Sequence, residues 1–362
     1  MRRETEIETS MAATARSGHD RFLETRTFGS LDGLRAVSIL AVVWHHTPEH
    51  FPALSIASRG FLGVDLFFVI SGFLIVTLLL RERRRTGTTS LRKFYVRRFL
   101  RIFPPYYAML AVVAVAAYSG RGSEAAAIRR DLPYALLYLS NLVPMSSLLS
   151  ITWSLAVEEQ FYLVVPALAK YTRRAFPAIV ALAYLLLILP PFGVLPDVKL
   201  PAFFRETTFG PILLGVGLAL VLDSPRGHRW VARVLGYRLS PVFAGALVLV
   251  ACSHPAADIS GWPRLAIHGS LLALVASCVV TERHAAAPFL ALWPMRRIGA
   301  VSYGIYLYHL LVRHGVVKVM SLGGVSSSIV FFAATALTSW AVAEISYRLF
   351  EVRCLALKER WT

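Results

Sequence analysis

Long apolar runs joined by short polar links make up nearly all of the chain after residue 33. They cover residues 34–50, 61–80, 99–119, 132–149, 152–169, 175–192, 206–222, 239–253, 263–281, 298–318 and 325–349. Most reach the roughly 17 to 20 residues that a helix needs to cross a hydrocarbon core of about 30 Å. The fourth run, LPYALLYLSNLVPMSSLL, is interrupted by Pro133, Asn141 and Pro144, which suits a re-entrant or interfacial segment packed against protein. The pattern predicts an all-α polytopic integral membrane protein of about ten transmembrane helices plus that one segment. Residues 1–30 mix Arg with Glu and carry no apolar core of a signal peptide; they read as a disordered tail. Residues 31–350 form the membrane domain, and residues 351–362 a short C-terminal tail.

Composition agrees with this reading. Hydrophobic residues make up 56% of the chain and charged residues 16%, whereas soluble domains carry about a quarter charged. Mean hydropathy is +0.59. A net charge of +17 would suit nucleic acid in a soluble protein, but here the basic residues fall in the links, so no nucleic-acid partner is expected. The link RERRRTGTTSLRKFYVRRFLR, residues 81–101, holds nine of them and belongs on the cytoplasmic side. Later basic links fall on the same side if both termini are cytoplasmic and ten segments cross. Cys252, Cys278 and Cys354 show no metal or disulfide spacing and read as small buried hydrophobes; no metal is expected.

That topology sets the intramembrane polar residues at comparable depths. His46 lies about four residues from the outer end of the first crossing, Asp65 about four into the second, and Glu158 and Glu159 about six or seven into the fourth. At 1.5 Å per residue these agree to roughly one helical turn. Arg35 precedes His46 by eleven residues, about three turns on one stripe. Lys93, Arg97 and Arg101 share a face at the inner end of the third crossing, with Arg98 beside them. Guanidinium groups there suit phosphates, because each offers a planar fork of donors. Plainer readings exist for each residue. His46 can be interfacial, Arg98 and Arg101 simple topology signals, Asp65 a structural partner of Arg59, and Trp153 an interface anchor. Deep carboxylates fit those readings least well, since buried charges in membranes mark pathways or sites.

The segments SLDGLRAVSILAVVWHH, GFLGVDLFFVISGFLI, FYVRRFLRIFPPYY, TWSLAVEEQFYL and SYGIYLYH resemble, in this order, those of membrane-bound acyltransferase family 3. That family includes O-antigen, peptidoglycan and exopolysaccharide O-acetylases and macrolide O-acyltransferases. Its pattern of a basic residue, a ten-residue spacer and a histidine falls on Arg35 and His46, and its Arg-x-x-Arg pattern on Arg98 and Arg101. The chain resembles members without an appended esterase-like domain.

The resemblance implies a bacterial inner-membrane enzyme that moves an acyl group, usually acetyl, from cytoplasmic acyl-coenzyme A to a hydroxyl. Arg35, Arg98 and Arg101 would hold the coenzyme's phosphates. His46 would act as general base, and Asp65 or Glu158 would fix its tautomer. Glu159, Trp153, Tyr162 and His309 are candidates for lining the acceptor, with Ser302 and Tyr306 on the face of His309. The acceptor is a carbohydrate, either lipid-linked or in the envelope, or a macrolide-type sugar. A proton-coupled transporter or flippase that uses the His, Asp and Glu layer as a relay is the alternative.

Overall fold

The computed structural model describes residues 18–25, 27–47, 55–192, 206–255, 259–324 and 327–357. Among these residues the chain is helical throughout, with no strand. The helices that position the site are α1 (Gly18–Glu24), α2 (Gly29–His45), α3 (Gly63–Thr86), α4 (Leu91–Ser119), α5 (Ser123–Leu136) and α6 (Thr152–Tyr171). They are followed by α7 (Phe176–Ile188), α8 (Glu206–Asp223), α9 (Pro225–Leu235), α10 (Ser240–Cys252) and α11 (Trp262–Val280). The last are α12 (Trp293–Ala300), α13 (Ser302–Leu322) and α14 (Ser328–Ser346).

Four helical stretches are long and apolar enough to cross a membrane, namely Gly60–Thr86, Leu91–Ser119, Trp262–Val280 and Ser328–Ala356. The count rises to six if the pairs α1–α2 and α8–α9 each serve as one bent span. Several other apolar runs yield elements of a different kind. Helices α6 and α13 have 20 and 21 residues, about 30 Å of rise, but each carries charged residues along its length. Helices α7 and α10 have 13 residues each, about 20 Å. The run at 132–149 is not a crossing helix: α5 stops at Leu136 and the backbone then turns irregularly as far as Thr152.

Helix α3 is the centre of the packing. Within its apolar window 83% of residues are buried, against 33% for α4 and 28% for the last span. Its closest neighbour is α8, and glycines permit that approach. A Cβ on Gly72 would meet the Ile212 carbonyl, and one on Gly215 would meet the Val69 carbonyl. Small residues let helix backbones touch where lipid offers no hydrophobic gain. Helix α3 ends at Gly87, whose φ of +77° and N–H bond to the Arg83 carbonyl close the last turn.

The expected disordered tail does not extend through residue 30. Residues 18–24 form α1, with Phe22 and His19 buried. Arg81 holds it by donating to the Phe22 carbonyl at 2.7 Å and to the Thr25 carbonyl, while its guanidinium lies 5.4 Å from the Phe22 ring centre. An aromatic anchor and a cation satisfying the helix's last carbonyls order a segment whose composition reads as loose. Residues 1–17 lie outside the described residues, as do 358–362 of the C-terminal tail. Residues 352–356 of that tail are helical.

Candidate active site

Two adjoining features lie where α2, α3, α4, α6 and α13 converge. One is an arginine-lined pocket and the other a pair of imidazoles.

The pocket begins in the N-terminal half of α4. Ser90 caps this helix by accepting from the Lys93 N–H, and Arg92 and Lys93 occupy its first turn, where the helix dipole favours anions over cations. Further along, Pro104 and Pro105 lack the N–H groups that would bond the carbonyls of Leu100 and Arg101. Arg98 and Arg101 project from this stretch into a cavity of about 700 Å³. Arg35 of α2, Phe67, Phe68 and Ser71 of α3, Glu158 and Tyr162 of α6, and Tyr303 and Tyr306 of α13 complete its walls. A second cavity of about 790 Å³ shares Arg35, Ser71, Arg98, Arg101 and Tyr162 with the first and continues past Asp32, Phe28 and Arg81. The two therefore adjoin along these five shared side chains.

Positive charge is in excess there. Four arginines (35, 81, 98 and 101) face two carboxylates, Asp32 and Glu158. Asp32 is paired with Arg35 at 3.0 Å. Glu158 accepts from the Ser71 hydroxyl at 2.6 Å and from the Tyr162 hydroxyl. The Arg98 guanidinium stacks 5.1 Å from the centre of the Tyr162 ring. Arg97, expected on the same basic face, turns instead toward Glu82 at 3.8 Å. Like charges grouped in a sheltered cleft repel one another until an anion enters, which makes such a cleft an anion trap.

The imidazole pair lies behind Tyr306. His46 caps the C-terminal end of α2. Its Nδ1 is 2.9 Å from the Val42 carbonyl oxygen and 3.2 Å from Nε2 of His309. Nδ1 of His309 is 2.6 Å from the Tyr306 carbonyl oxygen. A carbonyl oxygen only accepts, so both Nδ1 atoms carry hydrogen, and in neutral rings both Nε2 atoms hold lone pairs. The single His46 Nδ1–H is then shared between the Val42 carbonyl, the nearer acceptor, and His309 Nε2. His46 Nε2 remains as the unprotonated nitrogen, the form a general base needs. His309 is wholly buried and His46 half-buried. Arg313 adds its Nε–H to the backbone carbonyl of His46. Tyr306 links the two features: it lines the pocket, its hydroxyl meets the Ser154 hydroxyl at 2.5 Å, and its carbonyl anchors His309.

The structure thus brings Arg35, Arg98, Arg101, Glu158 and Tyr162 into one recess, and His46 and His309 into one pair. Asp65 joins neither. Its carboxylate is 2.9 Å from Arg264 Nη1 and 3.2 Å from His268 Nε2, all three groups buried. The expected Asp65–Arg59 pairing gives way to this one, and Arg59 reaches the His254 carbonyl instead. Neither Asp65 nor Glu158 holds the His46 ring; the Val42 carbonyl and His309 do. Glu159 is half-buried on α6, and Trp153 packs edge-on against Phe68 at 6.2 Å, one layer outside the pocket. Among the described residues no group of His, Cys, Asp and Glu could hold a metal ion.

Sequence reasoning missed Ser71, Ser154, Tyr303, Arg313, and the Arg264–His268 pair that claims Asp65. Two of these left a signal. Arg313 is four residues after His309, and His268 four after Arg264, the spacing that puts side chains on one helical face.

Helical throughout its described residues, with membrane-length apolar helices and a cationic recess set beside an imidazole pair, the chain has the make-up of a membrane protein with a polar interior site. The comparisons with known proteins agree. The profile of the acyltransferase domain matches residues 28–344, and the chain belongs to that family, membrane-bound acyltransferase family 3. It is 29% identical over 351 residues to the peptidoglycan O-acetyltransferase OatA of Listeria monocytogenes, covering 89% of this chain and 55% of the relative. It is 28% identical over 365 residues to a putative O-acetyltransferase of Staphylococcus aureus strain COL, covering 92% and 58%. An O-acetyltransferase OatA of Staphylococcus aureus strain NCTC 8325 is 29% identical over 361 residues, covering 92% and 58%. The chain thus spans a little over half the length of these relatives. No solved structure matches it. Apolar helices and membership of this family make it a multi-pass membrane protein.

Proposed function

We propose that this chain transfers an acetyl group from acetyl-coenzyme A to a hydroxyl of an envelope carbohydrate, with His46 as general base. The observation that carries the reading is the convergence of Arg35, Arg98 and Arg101 on one recess that runs up to Tyr306, the residue anchoring the imidazole pair. Coenzyme A ends in several phosphates, and its thioester sits at the far end of a flexible arm. The arginines hold the phosphates by charge-assisted hydrogen bonds. The arm lies along the wall of Phe67, Phe68 and Tyr306. With both termini cytoplasmic in a bacterial inner membrane, the basic link at 81–101, and so the mouth of the recess, lies on the cytosolic side.

The chemistry follows from the tautomer. Nε2 of His46 takes the proton of the acceptor hydroxyl as its oxygen attacks the thioester carbonyl carbon. His309, accepting from Nδ1, is a positioning residue that fixes the ring. Glu158, held by Ser71 and Tyr162, keeps Tyr162 under the Arg98 guanidinium. The relatives, O-acetyltransferases and in one case of peptidoglycan by name, support an acetyl group and a carbohydrate acceptor. A proton-coupled carrier would have no need of a cluster of cations away from its relay.

The test compares cells producing the wild-type chain with cells producing His46→Ala, protein levels matched. Base-labile acetyl on envelope glycans is measured by mass spectrometry. The expected result is acetylation lost in the variant by roughly 100-fold or more, the usual weight of a general base. Wild-type acetylation in the variant would refute the reading.

A further inference from the structure

We propose that Arg313 is the oxyanion-stabilising group of the transfer, a role that rests on His46 being the base. Three observations lead there. First, Arg313 is fixed at the base itself: its Nε–H donates to the backbone carbonyl of His46, which leaves the two Nη groups of the fork for another acceptor. Second, it lies one turn beyond His309 on α13, on the face that presents the second imidazole to His46. Third, it is half-buried and makes no ion pair with a carboxylate among the described residues. Arg35, Arg97, Arg264 and Arg297, by contrast, pair with Asp32, Glu82, Asp65 and Glu344.

A half-buried guanidinium without a carboxylate partner in a membrane domain calls for a function. Beside two neutral imidazoles it has no ground-state counter-ion, but the reaction creates one. When the hydroxyl oxygen bonds to the thioester carbon, the carbonyl π pair moves onto oxygen while the hydroxyl proton moves to His46 Nε2. An oxyanion and an imidazolium then stand side by side, and Arg313 offers the oxyanion preorganised donors. Collapse re-forms the carbonyl, breaks the carbon–sulfur bond, and sends the imidazolium proton to the departing thiolate. Donors aimed at charge that exists only in the transition state raise kcat and leave substrate binding unchanged.

The experiment uses the full chain in lipid nanodiscs with acetyl-coenzyme A as donor and solubilised envelope glycan as acceptor. Thiol release is followed relative to wild type. Arg313→Gln and Arg313→Ala are expected to lower kcat by roughly 100- to 1,000-fold, the range seen when one oxyanion donor is removed. KM for acetyl-coenzyme A and the thermal unfolding midpoint are expected to stay at the wild-type values. Methylguanidinium in solution is expected to restore part of the turnover of Arg313→Ala and none of that of His46→Ala. Near-normal kcat in both Arg313 variants beside an inactive His46→Ala overturns the oxyanion role alone. So does a folded Arg313→Ala that methylguanidinium does not revive. Full turnover in His46→Ala instead removes the base, and this role with it.

Discussion

His46 shows what a single residue discloses by itself. A titratable ring at the end of an apolar run marks itself in the sequence, since burying it costs free energy that something must offset. Its partner did not show. Equal depth in the membrane pointed to Asp65 and Glu158, but depth is one coordinate of three, and rotation about each helix axis sends those carboxylates elsewhere. The ring that meets His46 comes from 263 residues further along. Because His309 shares the Nδ1–H of His46 with the Val42 carbonyl, its loss removes one of the two groups that hold the ring. His309→Leu is expected to lower kcat roughly 100-fold, within the span of general-base effects, at unchanged KM for acetyl-coenzyme A. His309→Gln, whose amide oxygen can accept the same hydrogen, is expected to recover part of the loss. Wild-type kcat in His309→Leu would show that the pair is a packing contact only.

Between helices, legibility depends on how local the cause is. Apolar runs gave the positions of α2, α3, α4, α11 and α14, because apolar length is written in the segment itself. The bend of 110° between α8 and α9 is marked by the Ser224 cap and Pro225, whereas the break between α12 and α13 at Val301 falls next to a continuous apolar run that carries no such mark. Likewise Gly72 and Gly215 are ordinary glycines until each meets the other helix's backbone. The Asp65–Arg264–His268 cluster works at this scale too, tying the start of α3 to α11. Asp65→Asn leaves the Arg264 cation buried without its counter-charge. It is expected to destabilise the fold by about 3–5 kcal/mol, the cost of breaking a buried pair from one side. Replacing both residues, Asp65→Asn with Arg264→Gln, is expected to recover part of it. Denaturant unfolding in nanodiscs measures both; unchanged stability in the single variant would mean that the pair contributes nothing to holding α3 against α11.

At the scale of the whole molecule, the recess exists only because five helices meet. Arg35 arrives on α2, Ser71 on α3, Arg98 and Arg101 on α4, Glu158 and Tyr162 on α6, and Tyr306 on α13. The arginines were legible as a basic cluster from their spacing, and the sequence resemblance singled out Arg35, Arg98 and Arg101. That they share a cavity with one another and with Glu158 was not, because a cavity is the space that several packed helices leave between them. Transfer from acetyl-coenzyme A requires that this cavity hold the phosphates of the donor. The most direct measurement is calorimetric binding of acetyl-coenzyme A to the wild-type chain and to Arg98→Gln/Arg101→Gln in nanodiscs, at two salt concentrations. Two lost charge-assisted contacts, each about 1.5–3 kcal/mol, predict at least a 100-fold weaker dissociation constant and a shallower salt dependence. Unaltered affinity and salt dependence in a folded double variant would contradict it.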